Sequence, residues 1–207
     1  MKKSLMIIAL TLCVAIPAVR ADMVNPQLDD VTLNNDYADF VSPVQGNLGG
    51  GDGAYGAMLN NLFGGNEFDF LAKDELGGSN DISNTWNGIK FSVASSTFNA
   101  TSGTWVATWE TVGTPGLPAT LDLAVVLKAG SGWAAWLFED EEITVGNSGG
   151  EDTWTITFNI GQSEEIKNLS HLSLYGRDYS NPVPEPATML LFGTGLVGLA
   201  GLARRKK

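Results

Sequence analysis

The chain has 207 residues, of which 23 are acidic and 12 basic, and its formal net charge is −11. This excess of negative charge repels phosphate backbones and anionic lipid headgroups, which excludes nucleic acid as a partner. The only cysteine, Cys13, lies near the N-terminus, so a disulfide framework and a thiolate zinc site in the rest of the chain are excluded as well.

The N-terminal segment, residues 1–21, has the features of a secretory signal helix. Lys2 and Lys3 precede an apolar core of 12 residues, Leu5–Ile16, and the small residue Ala21 ends the segment. Such a signal engages the Sec translocon and signal peptidase, and we expect cleavage after Ala21. An uncleaved transmembrane helix is the alternative, but 12 apolar residues are short for one.

The first part of the body, from Asp22 to about Gly53, is polar and rich in turn-forming residues. Val31–Leu33 and Tyr37–Val41 are candidate edge strands between these turns. Ala54–Phe63 has some helical spacing, and Gly64 and Gly65 end it. No run in the body is long enough to predict a packed helix.

Period-2 alternation predicts strands from residue 89 onwards. Ile89–Val93 and Trp105–Trp109 each place three apolar side chains on one face. Leu121–Lys128 alternates in the same way, a turn follows at Ala129–Gly132, and Trp133–Phe138 continues as an apolar run, so this stretch predicts a β-hairpin.

Two further strands are predicted near the end of the body. Thr153–Asn159 alternates inward Trp154, Ile156 and Phe158 with polar residues, and His171–Tyr175 follows later. Six to eight short strands with glycine, asparagine and serine turns predict an all-β body, residues 22–180, folded as an antiparallel, jelly-roll-like β-sandwich.

No catalytic motif stands out in the body, and we expect no enzymatic activity. The single histidine, His171, points away from Leu172 and Leu174 and is interpreted as a surface or half-buried strand residue. Glu139–Glu142 supplies adjacent carboxylates, which leaves a glycan hydrolase or lyase as an alternative. Four adjacent acids are more typical of a solvated turn.

No cofactor is expected, although a structural calcium ion is an alternative. Gly64–Leu71 approaches a glycine-rich calcium repeat, with Glu67 and Asp69 as the candidate ligands. Glu67 occupies a position where that repeat has glycine, and the segment occurs once, whereas such repeats work in stacks. The calcium interpretation therefore depends on these two carboxylates alone.

Six tryptophans raise the alternative of a carbohydrate-binding module displayed at the cell surface. Tryptophans at period-2 spacing on strands usually belong to the core. Trp133 and Trp136 fall on opposite faces of one strand, however, so both cannot enter the same core. We expect that one of these two, or Trp86 in its turn-rich loop, forms an exposed platform for a sugar ring.

The C-terminal segment, residues 181–207, combines a proline-rich spacer, an apolar run and a basic end. Pro182, Pro184 and Pro186 keep the spacer extended. The run Ala187–Ala203 has 17 uncharged residues. As a helix it would be about 25 Å long, enough for a single short transmembrane helix. The basic residues that follow should stay on the cytoplasmic side.

The order of Pro184-Glu185-Pro186, apolar helix and Arg204-Arg205 resembles the PEP-CTERM sorting signal of Gram-negative bacteria. The resemblance implies that a membrane-embedded exosortase recognises the signal, removes the helix and releases or transfers the protein to the cell surface. A permanent C-terminal anchor is the alternative. Members of this family tend to occur in bacteria that make extracellular polysaccharide.

Removal of both targeting segments would leave a strongly acidic body. Residues 22–183 contain 22 acidic and five basic residues, a formal charge of −17. We therefore expect an exported, non-enzymatic protein of the envelope or extracellular matrix. The family resemblance suggests a role with exopolysaccharide in biofilm or floc formation.

Overall fold

A computed structural model describes residues 25–46, 51–78, 81–145, 152–158 and 166–180. These ranges contain a 3-10 turn at Leu28–Asp30, one α-helix and thirteen strands. The helix, α1, spans Asp52–Phe63. The strands are β1 (Thr32–Leu33), β2 (Asp36–Tyr37), β3 (Phe40–Val41), β4 (Gln45–Gly46), β5 (Asp69–Glu75), β6 (Ile82–Ser83), β7 (Thr85–Trp86), β8 (Ile89–Ser95), β9 (Ser102–Thr111), β10 (Ala119–Ala129), β11 (Gly132–Ile143), β12 (Asp152–Thr155) and β13 (Leu169–Ser180).

The strands form two main sheets and a separate β1–β2 hairpin. The larger sheet has the order β3-β11-β10-β13-β5-β6, and β4 pairs with another part of β11. The smaller sheet has the order β12-β9-β8-β7. All of these strand pairs are antiparallel, which confirms the prediction of an antiparallel all-β body.

The two sheets share one apolar core. The smaller sheet contributes the inward residues of β8 and β9, and the larger sheet contributes alternate residues of β10, β11 and β13. The predicted inward set is fully or almost fully buried: Ile89, Phe91, Val93, Trp105, Ala107, Trp109, Leu121, Leu123, Val125, Leu127, Trp154, Ile156 and Phe158. Alternation in the sequence therefore identified the faces that meet between the sheets.

The predicted hairpin is formed by β10 and β11. Ala129 pairs with Gly132, and Gly130 in the turn has φ +58°, a left-handed value that glycine adopts at little cost. β11 continues past Phe138 to Ile143, so the second strand is longer than predicted. β13 also extends beyond the predicted His171–Tyr175, whereas β12 ends at Thr155.

A packed helix covers the outer face of the larger sheet, contrary to the prediction. Tyr55 and Leu59 of α1 are buried against Ala124, Val126 and other outward residues of the sheet. β10 is consequently buried on both faces for most of its length. The apolar side of α1 is short and rich in small residues, so its periodicity was too weak to predict packing.

Two β-bulges flank Asp122 in the middle of the larger sheet. The register shifts between Leu121 and Leu123 on the β11 side, where Asp140 has φ +55°. It shifts again on the β13 side, where Asp178 has φ +54°. Each bulge leaves an extra residue on the neighbouring strand.

Glu139–Glu142 do not form the predicted turn, although Glu139, Asp140 and Glu142 are exposed to solvent as predicted. These residues continue β11, and the bulge at Asp140 sends their side chains to different neighbours. The prediction of six to eight strands was also too low, because the edges of the sheets are formed by two-residue strands that alternation cannot reveal.

Both predicted targeting helices, residues 1–21 and the apolar run of residues 181–207, lie outside the described residues. None of the helices in the described ranges has the length and apolarity needed to cross a bilayer.

Candidate functional site

The strand that leads to the C-terminal segment, β13, lies in the interior of the larger sheet and not at its edge. β13 lies between β10 and β5; it pairs with β10 along most of its length and with β5 from His171 to Gly176. It ends at Ser180, and the described part of the chain ends there too. The predicted processing residues, Pro184, Glu185, Pro186, Arg204 and Arg205, lie outside the described residues. A tail attached at this point is therefore continuous with a central strand.

Arg177 fixes the end of β13 to its neighbours. Its guanidinium Nε lies 2.9 Å from an Asp122 carboxylate oxygen, and the Arg177 side chain is 5% exposed. The guanidinium stacks on the Phe68 ring at 4.5 Å from the ring centre and donates to the carbonyl of Gly64, the residue directly after α1. Arg177 thus ties β13, β10 and the end of α1 together.

The same end of β13 closes one end of the sandwich. The Tyr179 hydroxyl donates to the Gly116 carbonyl at 2.7 Å. The Tyr179 ring meets Trp86 edge-on, with the ring centres 5.6 Å apart. The Trp86 indole donates in turn to an Asp69 carboxylate oxygen at 2.6 Å. Two residues predicted for different sites, Trp86 and Asp69, are therefore direct partners.

The expectation of an exposed platform at Trp133 or Trp136 was wrong. Both side chains are 0% exposed. Trp136 enters the core between the sheets, and its indole donates to the Gln27 carbonyl at 2.8 Å. Trp133 faces the other way, where α1 covers it and Tyr55 contacts its ring at 5.1 Å. Of the three predicted tryptophans, only Trp86 remains partly exposed.

Two exposed aromatic residues were missed by the sequence reasoning. Tyr37 is 66% exposed and Phe40 is 52% exposed. They flank Asp39 in a segment that the sequence presented only as a candidate edge strand. An aromatic residue on a short, isolated strand gives no signal of its orientation, so their exposure could not be predicted.

The predicted calcium ligands do not gather around a common point. Glu67 and Asp69 are exposed, and the Asp69 carboxylate accepts the Trp86 indole N–H. Within the described ranges, no group of three or more potential metal-ligating side chains is close enough to hold an ion.

The acids of β11 form no facing pair. Glu139 lies 3.9 Å from the Arg177 guanidinium, on the helix side of the sheet. Glu141 instead accepts a hydrogen bond from the Asn34 amide at 3.0 Å, and burial raises its pKa, with smaller contributions from nearby carboxylates. A glycosidase mechanism needs two carboxyl groups on opposite sides of one bond. The bulge between Glu139 and Glu141 separates them instead.

His171 lies half-buried on β13, as predicted. Burial, together with the nearby positive charges of Lys128 and Lys73, lowers its pKa to about 4. The imidazole is therefore neutral at physiological pH.

The family model of the PEP-CTERM protein-sorting motif matches residues 182–207. The match begins two residues after β13 ends. The chain is therefore a PEP-CTERM domain-containing protein, and the motif marks it as an exosortase-targeted extracellular protein. The curated proteins and the solved structures gave no match.

Proposed function

We propose that this protein is a non-enzymatic component of the bacterial envelope or extracellular matrix, associated with exopolysaccharide in biofilms or flocs. The observation that carries the proposal is the sorting motif at residues 182–207, which directly follows β13. A body held through a central strand suits a protein whose tail is its point of attachment. Pairing with β10 at the end of β13, and with β5 further back along the strand, would resist pulling at that point.

The route to the surface follows from the two terminal segments. The Sec translocon exports the chain, and signal peptidase cleaves after Ala21. The apolar run of the tail then holds the protein transiently in the inner membrane, with Arg204 and Arg205 inside. Exosortase recognises Pro184-Glu185-Pro186 and removes the helix, so the body reaches the cell surface or the medium.

The acidic body supports a role in a hydrated matrix. Of its five basic residues, Lys73, Lys90 and Arg177 are engaged in ion pairs with carboxylates. Carboxylates therefore dominate the exposed charge, which keeps the body soluble and attracts cations. This charge also opposes adhesion to anionic lipid surfaces.

Variants of the tail test the proposal in the producing bacterium. Deletion of residues 184–207 should abolish retention in the envelope while the body remains folded. Replacement of Glu185 by Gln tests recognition of the motif without removing the anchor, and Lys90→Gln, in an exposed ion pair of the body, is the matched control. Unchanged localisation of both tail variants would contradict the proposal.

A second candidate function is carbohydrate binding, which the exposed rings of Tyr37 and Phe40 favour. Flat aromatic rings stack on sugar faces, and carboxylates beside them can accept hydrogen bonds from hydroxyl groups. A glycan array with the wild type and the Tyr37→Ala/Phe40→Ala variant separates this function from the first. If no glycan distinguishes the two proteins, these rings are not a sugar-binding surface.

A further inference from the structure

A shielded lysine between two carboxylates lies beside α1, and nothing in the export of the protein uses it. The Lys73 amine nitrogen is 3.3 Å from an Asp52 carboxylate oxygen and 3.2 Å from a Glu75 carboxylate oxygen. The three side chains are 11%, 23% and 30% exposed, respectively. In the Lys90–Glu110 pair, at 3.4 Å, the corresponding values are 45% and 64%.

Aromatic side chains lie near this group. The Tyr175 hydroxyl donates to the Asp52 carbonyl at 3.0 Å, and the Phe70 ring lies 5.4 Å from the Tyr175 ring. Tyr55, three residues after Asp52 on α1, is buried against the Trp133 ring. An environment of low polarity destabilises charged groups and so favours their conversion to an uncharged amide.

Burial works to lower the pKa of Lys73, but the charges of Asp52 and Glu75 outweigh it and the net shift is upward. The lysine therefore starts as an ammonium ion and must lose a proton before it can act as a nucleophile. Glu75 is positioned to accept that proton, because it lies two residues further along β5 and so on the same face as Lys73.

We propose that the Lys73 amine attacks the Asp52 carboxyl carbon and forms an intramolecular amide. Glu75 first takes one proton from the ammonium, and the nitrogen–carbon bond then forms. Glu75 passes that proton and a second one from the nitrogen to one Asp52 oxygen, and the carbon–oxygen bond breaks. The ammonium and the carboxylate are converted to one amide and one water, and Glu75 returns to its starting state.

The position of Asp52 suits it as the electrophile. Asp52 is the first residue of α1, and no side chain caps this end of the helix. The partial positive charge of a helix N-terminus stabilises negative charge that develops on a nearby oxygen. The Lys73 amine nitrogen lies 3.3 Å from one Asp52 carboxylate oxygen, so the two reacting groups are held next to each other before the bond forms.

The amide would link the start of α1 to β5 and enclose residues 52–73 in a covalent ring. The body between the two targeting segments contains no cysteine, so it has no disulfide to serve this purpose. The inference does not depend on the proposed function, because the reaction needs only the folded body.

Mass spectrometry of the full-length chain tests the amide. The wild type should be one water lighter than its sequence requires. Trypsin should not cleave after Lys73, because an acylated lysine is not a substrate, and residues 21–90 should therefore remain one peptide. Trypsin mapping also separates the amide from a cyclised aspartate, which leaves Lys73 cleavable.

Three variants test the roles of Lys73 as the nucleophile, Asp52 as the electrophile and Glu75 as the proton-transferring group. Lys73→Arg keeps the charge, and Asp52→Ala removes the electrophile; both should have their full sequence mass. Glu75→Gln should slow formation of the amide by about 100-fold or more, the usual contribution of a proton-transferring group. Lys90→Arg is the matched control and should lose water like the wild type. A wild-type chain with its full mass and normal cleavage after Lys73 would overturn the proposal, as would a loss of water that persists in Lys73→Arg.

Discussion

Replacement of Arg177 by Met tests the ion pair that holds the end of β13. The change removes the partner of Asp122, whose carboxylate would keep only the Asp140 backbone N–H at 3.1 Å. It also removes the donor to the Gly64 carbonyl and the cation over the Phe68 ring. Loss of one partner from a buried ion pair typically costs about 3–5 kcal/mol, because the other charge stays buried.

Urea unfolding of the full-length protein in detergent measures this cost. Arg177→Met should lower the free energy of unfolding by about 3–5 kcal/mol, or the melting temperature by roughly 2–4 °C per kcal/mol. Lys90→Met is the control, because it breaks an exposed pair worth about 0–1 kcal/mol.

The double variant Arg177→Met/Asp122→Leu distinguishes the lost attraction between Arg177 and Asp122 from the cost of leaving the Asp122 carboxylate buried without a cation. It should be more stable than Arg177→Met alone, because no carboxylate is then left without a cation. Recovery should be incomplete, since Asp122 also holds the bulge through the Asp140 N–H. If Arg177→Met costs no more than Lys90→Met, the reasoning about this ion pair is wrong.

Three further outcomes follow from the structure. Gly56→Ala should destabilise the protein by about 1–3 kcal/mol, because the added Cβ would lie 2.5 Å from the Phe68 carbonyl oxygen. Gly53→Ala, whose Cβ would have nothing within 4 Å, should instead stabilise α1 by about 0.5–1 kcal/mol. Equal effects of the two substitutions in thermal melts would refute the close approach at Gly56. Asp152→Ala should cost about 1–3 kcal/mol, because the buried carboxylate accepts the N–H groups of Asn34 and Asn35, whereas the exposed Asp29→Ala should be neutral. His171, the only histidine, should titrate near pH 4 when followed by NMR. Its contribution to stability is complete above about pH 6.5. It should be lost as the pH falls towards 4, because the unfolded chain binds the proton first. A midpoint near 6.5 would contradict its burial.

Alternation predicted the part of the fold in which one face of a strand meets the core and the other meets water. β8 and β9 fit this case, since Ile89, Phe91 and Val93 are buried while Lys90 is exposed. The β10–β11 hairpin was also predictable, because a glycine turn separates two apolar runs. The sorting signal was evident from its residues alone, and the family match confirms it.

The outer layer could not be predicted, because its signals are weak or ambiguous. β10 is apolar on both faces, as its Val125-Val126-Leu127 run indicates, but such a run does not say what covers the second face. Because the sequence did not predict that α1 packs on this face, it could not show whether Trp133 faces solvent or is buried. The bulge at Asp140 is likewise a consequence of tertiary pairing with Asp122 and leaves no pattern in the sequence.

Export with removal of both terminal segments is tested most directly by the intact mass of the protein recovered from the surface or medium of the producing bacterium. Processing by signal peptidase and exosortase predicts a chain that begins at Asp22 and lacks the apolar helix and the basic residues 204–207. An intact mass that corresponds to all 207 residues, with both terminal segments still present, would contradict it.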